Sequence, residues 1–336
     1  MRHSWLKSSA QHLAVGAVLI AMHATVNAQS APSTAAVQAQ VERLAPTSGG
    51  EVGVAAWRLD GKGPRILLNG SEAFPMASTF KVAVASTILA GVDSGRLKLD
   101  QMVPVEPDML VPSDVIADNL IHPGISLSVY NLLELMLTHS DNTATDVLQK
   151  LAGGGEAVTA WLRKHGIEGQ RIDRDTHGLL RDFFGVSARG LKGWEEAAKA
   201  NPQLEARGDH PLPSFDNDPR DTSTPEAMGQ LLTLIYSGKA LSPASTEVIR
   251  GIMERCRTGA ARLKGLLPAG TVVAHKTGTI GGTVNDVGVM TLPGGAGQVV
   301  IAVFVKKSDL PYEKRERAIA EIARSVYDFY LFNPAS

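Results

Sequence analysis

Apolar positions along the chain recur with two different periods, and the switch between them outlines an architecture. Over 31–44, Val37, Val41 and Leu44 fall at helical spacing until Thr47-Ser48-Gly49-Gly50 stops the pattern. Residues 51–60 and 65–68 then flank the turn Gly61-Lys62-Gly63-Pro64 and predict an antiparallel hairpin. From about Thr79 to Gln230 the spacing is mainly helical, most clearly at 82–90, 127–137, 142–151 and 154–165. Strand-like runs return at 271–274, 284–292 and 299–305, and 312–331 predicts a long closing amphipathic helix. This order predicts an α/β (α+β) fold. An antiparallel sheet is built from both chain ends, about 31–75 and 265–336, around a helical block at about 76–264, with no internal repeat.

Two segments break the pattern. Residues 182–219 are rich in Gly, Pro, Asn and charge, with one short helix expected at 194–200; a loop this long is either functional or a surface insertion. At the other end, Arg2 and Lys7 precede a mostly apolar run at 13–24 that is too short to span a bilayer. Val26-Asn27-Ala28 before Gln29 has the small-x-small form of a cleavage site. Residues 1–28 therefore read as a secretory signal peptide. The expectation is a soluble, monomeric protein, periplasmic or secreted, without stable membrane insertion.

Composition narrows the chemistry by exclusion. The 336 residues carry 33 Lys+Arg against 34 Asp+Glu with no long block of one sign, which leaves no electrostatic footprint for nucleic acid. Cys256 stands alone and cannot form an internal disulfide, and no Cys/His cluster has zinc spacing, so neither a metal nor another cofactor is expected.

What remains is a nucleophile. In Ser78-Thr79-Phe80-Lys81 a serine three residues before a lysine shares its helix face, so the amine can take the hydroxyl proton, and the helix N-terminus can stabilise an oxyanion. Alone this spacing is weak, since Ser4-Trp5-Leu6-Lys7 has it too. Ser140-Asp141-Asn142 follows 62 residues after Ser78 at a helix boundary, where capping is the competing explanation. His275-Lys276-Thr277-Gly278-Thr279 ends a predicted strand before Ile280-Gly281-Gly282, placing a cation, two hydroxyls and a free edge amide together; an ordinary edge-strand lysine is the alternative. S-x-x-K, S-D-N and K-T-G in this order form one signature set.

With these three motifs the chain, over roughly 37–331, resembles the class A serine β-lactamase family. Pro75-Met76-Ala77 before Ser78 and Arg220-Asp221-Thr222-Ser223-Thr224-Pro225 add to the likeness. The resemblance implies a serine β-lactamase/transpeptidase-like fold over 29–336, with an omega loop at about 171–221. It also implies roles. Ser78 attacks the β-lactam carbonyl, Lys81 acts as base or proton shuttle, and Ser140 passes a proton to the leaving nitrogen. Asn142 holds the substrate's side-chain amide; Lys276, Thr277 and Thr279 bind its carboxylate; the Ser78 and Thr279 amides form the oxyanion hole, with Gly278 between the binding residues. Arg262, fourteen residues before Lys276, matches one family position for a carboxylate-binding arginine, against the alternative of a solvated helix charge.

The omega loop departs from the family. Arg171-Ile172-Asp173-Arg174 resembles its entrance, and Arg174 with Asp221 matches the ion pair at its neck. The family's deacylating glutamate and its helper asparagine fall at Thr176 and Leu180, neither of which is a general base. Moreover, 46 residues separate Arg174 from Asp221, so 182–219 is an insertion in this loop. Asp175, Asp182, Glu195 and Glu196 are the candidate substitutes. The expected function is an exported serine hydrolase that opens β-lactams through an acyl-enzyme, with slow deacylation if no substitute exists. The alternatives are an acyl-serine peptidase or esterase acting on a peptidoglycan-like acyl substrate, a covalent β-lactam trap of the same fold, and a non-catalytic binding or sensor domain.

Overall fold

The computed structural model describes residues 33–334 apart from 114 and 121. The expected signal peptide lies outside the described residues. Helix α1 (Thr34–Leu44) is capped by the Ser33 hydroxyl, which accepts from Ala36 N. Strands β1 (Glu51–Arg58), β2 (Ile66–Leu68) and β3 (Phe74–Pro75) follow, and a 3₁₀ turn at Ala77–Phe80 leads into α2 (Lys81–Asp93). The middle of the chain holds β4 (Met102–Pro104), α3 (Ile116–Asn119), β5 (Ser126–Ser128), α4 (Val129–Thr138), α5 (Asn142–Ala152) and α6 (Gly154–Lys164). Then come α7 (Thr176–Phe184), α8 (Gly190–Ala200), α9 (Leu204–Arg207), α10 (Pro213–Asp216), β6 (Thr222–Ser223), α11 (Pro225–Tyr236) and α12 (Pro243–Glu254). Strands β7 (Val273–Ile280), β8 (Thr283–Thr291) and β9 (Gln298–Lys306) and helix α13 (Tyr312–Phe332) close the chain.

Five strands pair antiparallel in the order β2-β1-β9-β8-β7, so both chain ends contribute, as their spacing predicts. Period-two geometry makes β9 the spine. Its Val299, Ile301, Val303 and Val305 pack with Val37 and Val41 of α1 and Ile319, Ile322 and Val326 of α13. The alternate residues Val300, Ala302 and Phe304 pack with α2, α4, α5, α11 and α12. Helix α2, nearly apolar on every side, is correspondingly buried from Lys81 to Leu89.

Three expectations need correction. Helix α11 lies in the helical block by sequence, yet it covers the sheet: a Cβ on its Gly229 would come 2.3 Å from the Trp57 ring of β1, so glycine permits the approach. The 182–219 segment is not one short helix in a loop; α8 begins at Gly190, and α9 and α10 follow it. The His275-Lys276-Thr277-Gly278-Thr279 motif does not end its strand but lies inside β7, paired with β8 through Ile280↔Thr283. Among the described residues no helix is long and apolar enough to cross a membrane.

Candidate active site

Ser78 sits in the Ala77–Phe80 turn, clamped from several sides before α2 begins. β3 pairs with β6, and Met76 N donates to Asp221 O (3.0 Å). Asn285, fully buried on β8, donates from Nδ2 to Pro75 O (2.9 Å) and Met76 O (3.0 Å), while its Oδ1 accepts from Val305 N. Ala77 is held at φ +44°, a left-handed conformation that this clamping stabilises. Gly278 lies against the turn so closely that a Cβ would meet Met76 O at 2.5 Å, so only glycine lets β7 approach the Ser78 amide.

Ser140 occupies the junction of α4 and α5 at φ +61°. Beside it Asp141 caps α5, accepting from Ala144 N (2.8 Å), and its other oxygen accepts from Ile116 N and the Ser113 hydroxyl (2.9 Å each). Capping therefore accounts for Asp141, and it fixes Ser140 over two fully buried lysines. Lys81 Nζ donates to Ser140 O (2.7 Å), Ser140 Oγ (3.2 Å) and Asn142 Oδ1 (2.8 Å). Lys276 Nζ reaches Ser140 Oγ from β7 (2.9 Å) and also bonds Thr277 O. β7 is an edge strand, but Lys276 is buried and engaged rather than a solvated edge lysine.

Burial, then repulsion from Lys276, holds the Lys81 ammonium well below its ordinary range. Burial lowers Lys276 to about 8 against the pull of Cys256 and Asp286. Both lysines are thus shifted toward the neutral form, Lys81 by burial and by the charge of Lys276.

Ser78, Ser140, Asn142, Arg262, Thr277, Gly278 and Thr279 line one cavity of about 680 Å³. Arg262 is buried, not a solvated helix charge. Its guanidinium donates to Glu316 Oε1 (3.0 Å), Asn285 O (2.9 Å), Thr279 Oγ1 (2.7 Å) and the Tyr312 hydroxyl. The motifs do not mark Asn285, Tyr312, Glu316, Thr258 or His139, of which all but Asn285 line the cavity. Only Asn285 leaves a legible trace, as half of a polar pair, Asn285-Asp286, inside an apolar strand.

The chain matches the model of the β-lactamase enzyme family over residues 36–330. It belongs to the class A serine β-lactamase family. Extended-spectrum β-lactamase PER-1 of Pseudomonas aeruginosa is 32% identical, across 87% of this chain and 86% of that protein. β-Lactamase VEB-1 of the same organism is 30% identical across 87% and 89%. An ancestral class A β-lactamase structure superposes with TM-score 0.71 at 35% identity, covering 86% of this chain and 98% of that one. The TLA-1 extended-spectrum β-lactamase gives TM-score 0.73 at 29% identity, covering 89% and 99%.

In this β-lactamase the omega-loop neck is closed as the sequence suggests. Arg174 Nε donates to Asp221 Oδ2 (2.6 Å), and Asp221 Oδ1 accepts from Asp173 N and Arg174 N. Asp146 of α5, buried, accepts from the amides of Thr176 (2.7 Å) and His177 (2.9 Å) at the start of α7. Burial, then the Asp175 charge, raises its carboxyl to about 7. A small apolar core of Leu179, Phe183 and Phe215 seats the insertion on Ala77 and Ile280.

Thr176 and Leu180 line a second cavity, about 60 Å³, together with Ser78 and Asn142. The four substitute carboxylates line neither cavity. Asp175 is exposed and caps α7 through Gly178 N; Asp182 pairs with Arg174 and Arg220; Glu195 and Glu196 are exposed on α8.

Proposed function

We propose that this class A family member opens β-lactam rings through an ester on Ser78 and releases that ester slowly. The single observation that carries the reading is an asymmetry at Ser78. On one side it shares a cavity with Ser140, Arg262 and the Thr277–Thr279 edge, with Lys81 and Lys276 beneath; on the other it faces Thr176 and Leu180.

Acylation has its parts. Ser78 Oγ forms a bond to the lactam carbonyl carbon as neutral Lys81 takes its proton, and the Ser78 and Thr279 amides stabilise the oxyanion. The ring C–N bond then breaks, and the nitrogen receives a proton through Ser140, which Lys81 and Lys276 both contact. Lys276, Arg262, Thr277 and Thr279 match a substrate carboxylate with charge-assisted bonds. Asn142, with Nδ2 donating to Pro112 O and Oδ1 accepting from Lys81, stands at the rim for the side-chain amide. Deacylation requires a base for water, and Thr176 offers a hydroxyl instead.

This asymmetry also supports the second reading, a β-lactam trap or an acyl-serine peptidase or esterase on a peptidoglycan-like substrate. Mass spectrometry of the protein with a penicillin over time separates the two. An adduct on the Ser78 peptide that forms and decays with multiple turnover supports the β-lactamase, whereas one persistent equivalent supports the trap. No adduct at all overturns both. Export rests on the leader-like residues 1–28, and mass analysis of the protein made in cells should find an N-terminus at Gln29.

A further inference from the structure

Behind the carboxylate-binding strand lies a second nucleophile that the proposed reaction does not use. Cys256, just past α12, is buried, and its Sγ lies 3.4 Å from Thr258 Oγ1. On β7, His275 is fully buried and bonds Asp286 of β8 through Nδ1 (2.8 Å). Its Nε2 has no hydrogen-bond partner of ordinary geometry, and the ring and the Cys256 thiol act on each other electrostatically. Cysteine, imidazole and carboxylate thus stand in the order that activates a thiol. Thr258 links them to the cavity: its hydroxyl pairs with Thr277 Oγ1 (2.6 Å), it lines the cavity of Ser78, and Thr277 O accepts from Lys276.

We infer that Cys256 is an oxidation-sensitive modification site: small peroxides convert its thiolate to a sulfenic acid, and the added oxygen disturbs the Thr258–Thr277–Lys276 contacts. In the reaction the sulfur attacks one peroxide oxygen, the S–O bond forms as the O–O bond breaks, and sulfur loses two electrons. The departing oxygen leaves as hydroxide and takes the Nε2 proton of His275 to become water. Charges support this assignment. Burial alone would raise the thiol, but His275 and then Lys276 bring it down to about 7. Burial works against the His275 cation too, and the Asp286 carboxylate overrides it, holding the ring at about 9. With one cysteine in the chain, every thiol signal reports this site.

The test treats the full chain with hydrogen peroxide across a pH series and maps oxygen incorporation by peptide mass spectrometry. The expected result is one oxygen on the Cys256 peptide, removed by dithiothreitol, with a rate midpoint near pH 7 instead of the ~8.5 of a free thiol. His275→Asn should move that midpoint up by a unit or more; if this variant does not fold, the wild-type midpoint decides. A midpoint at or above 8.5, or oxidation no faster at pH 7 than that of a free thiol, overturns the inference. Oxidised protein should also form the penicillin adduct at least tenfold more slowly, and Cys256→Ala should resist this loss; equal slowing in Cys256→Ala overturns the link between thiol and cavity. Oxygen on Cys256 is read without a β-lactam, so a failure of the acyl-enzyme reading leaves this result distinct.

Discussion

The two walls around Ser78 are held by different forces. The wall made by α2, the α4–α5 junction and β7 is fastened by buried polar groups with several partners each: Lys81 on Ser140 and Asn142, Lys276 on Ser140, Asn285 on the residues before Ser78. Removing any of them leaves a buried donor or acceptor unpaired, which costs about 1–3 kcal/mol. The omega-loop wall is fastened at its neck by ion pairs, at its base by Asp146, and at its tip by a separate aromatic cluster. Thr176, Leu179 and Leu180 are the residues it presents to the small cavity beside Ser78. One wall can keep its chemistry while the other is rebuilt, because the polar contacts that join them, Asp146 with the Thr176 and His177 amides, Gln149 with Arg174 O and Met76 N with Asp221 O, engage the omega-loop backbone and leave its side chains free to change.

The largest expected effect is on the first wall. Ser78→Ala should reduce adduct formation and turnover by on the order of 10⁴-fold or more. An adduct that survives this change would move the nucleophile elsewhere and dissolve the comparison. Next comes the second wall, where general-base assistance is typically worth ~10²–10⁴-fold. Thr176→Glu should accelerate decay of the acyl-enzyme but recover only part of that factor, because Leu180 cannot orient the water. Fast turnover by the unaltered protein, with no accumulating ester, would show that the loop already supplies a base.

Arg262→Ala should weaken kcat/KM by about 1–3 kcal/mol, the range for hydrogen bonds to charged groups. If acylation of carboxylate-free substrates falls equally, the arginine only braces Thr279 and Tyr312. Acylation should also decline as pH rises through about 8, since Lys276 loses its charge there. Lys276→Arg should remove that basic limb, and a limb unchanged in this variant would assign it to another group.

The smallest effect concerns stability. The Asp146 carboxyl is raised from 3.8 to about 7, so across that window the folded chain keeps a proton that the unfolded chain has released. Its contribution to stability therefore falls as pH rises from about 4 to 7 and is level above. In Asp146→Asn this pH dependence of Tm should flatten, and an unchanged slope would place the titration elsewhere.

Periodicity alone marked β1, β2, β8 and β9 and the helices α1, α2, α4, α5, α6 and α13, though not α11, α12 or most of β7, because a helix or strand buried on a fixed face must repeat its apolar residues at a fixed interval. The same local logic made Ser78, Lys81, Ser140, Asn142 and the Lys276–Thr279 segment legible, since each motif spans only a few residues. Thr176 and Leu180 were also visible as departures, by their distance from Arg174. Tertiary structure alone decided what depends on contacts between distant segments. It placed α11 on the sheet through Gly229 and Trp57, carried the Lys276 motif inside β7, and buried Arg262 against Glu316. It also kept Asp182, Glu195 and Glu196 away from Ser78, because the insertion packs through Phe183 and Phe215 and points its carboxylates to solvent or to arginine. Charge in a sequence has no direction; only the packed backbone determines which carboxylate meets a cavity and which meets water.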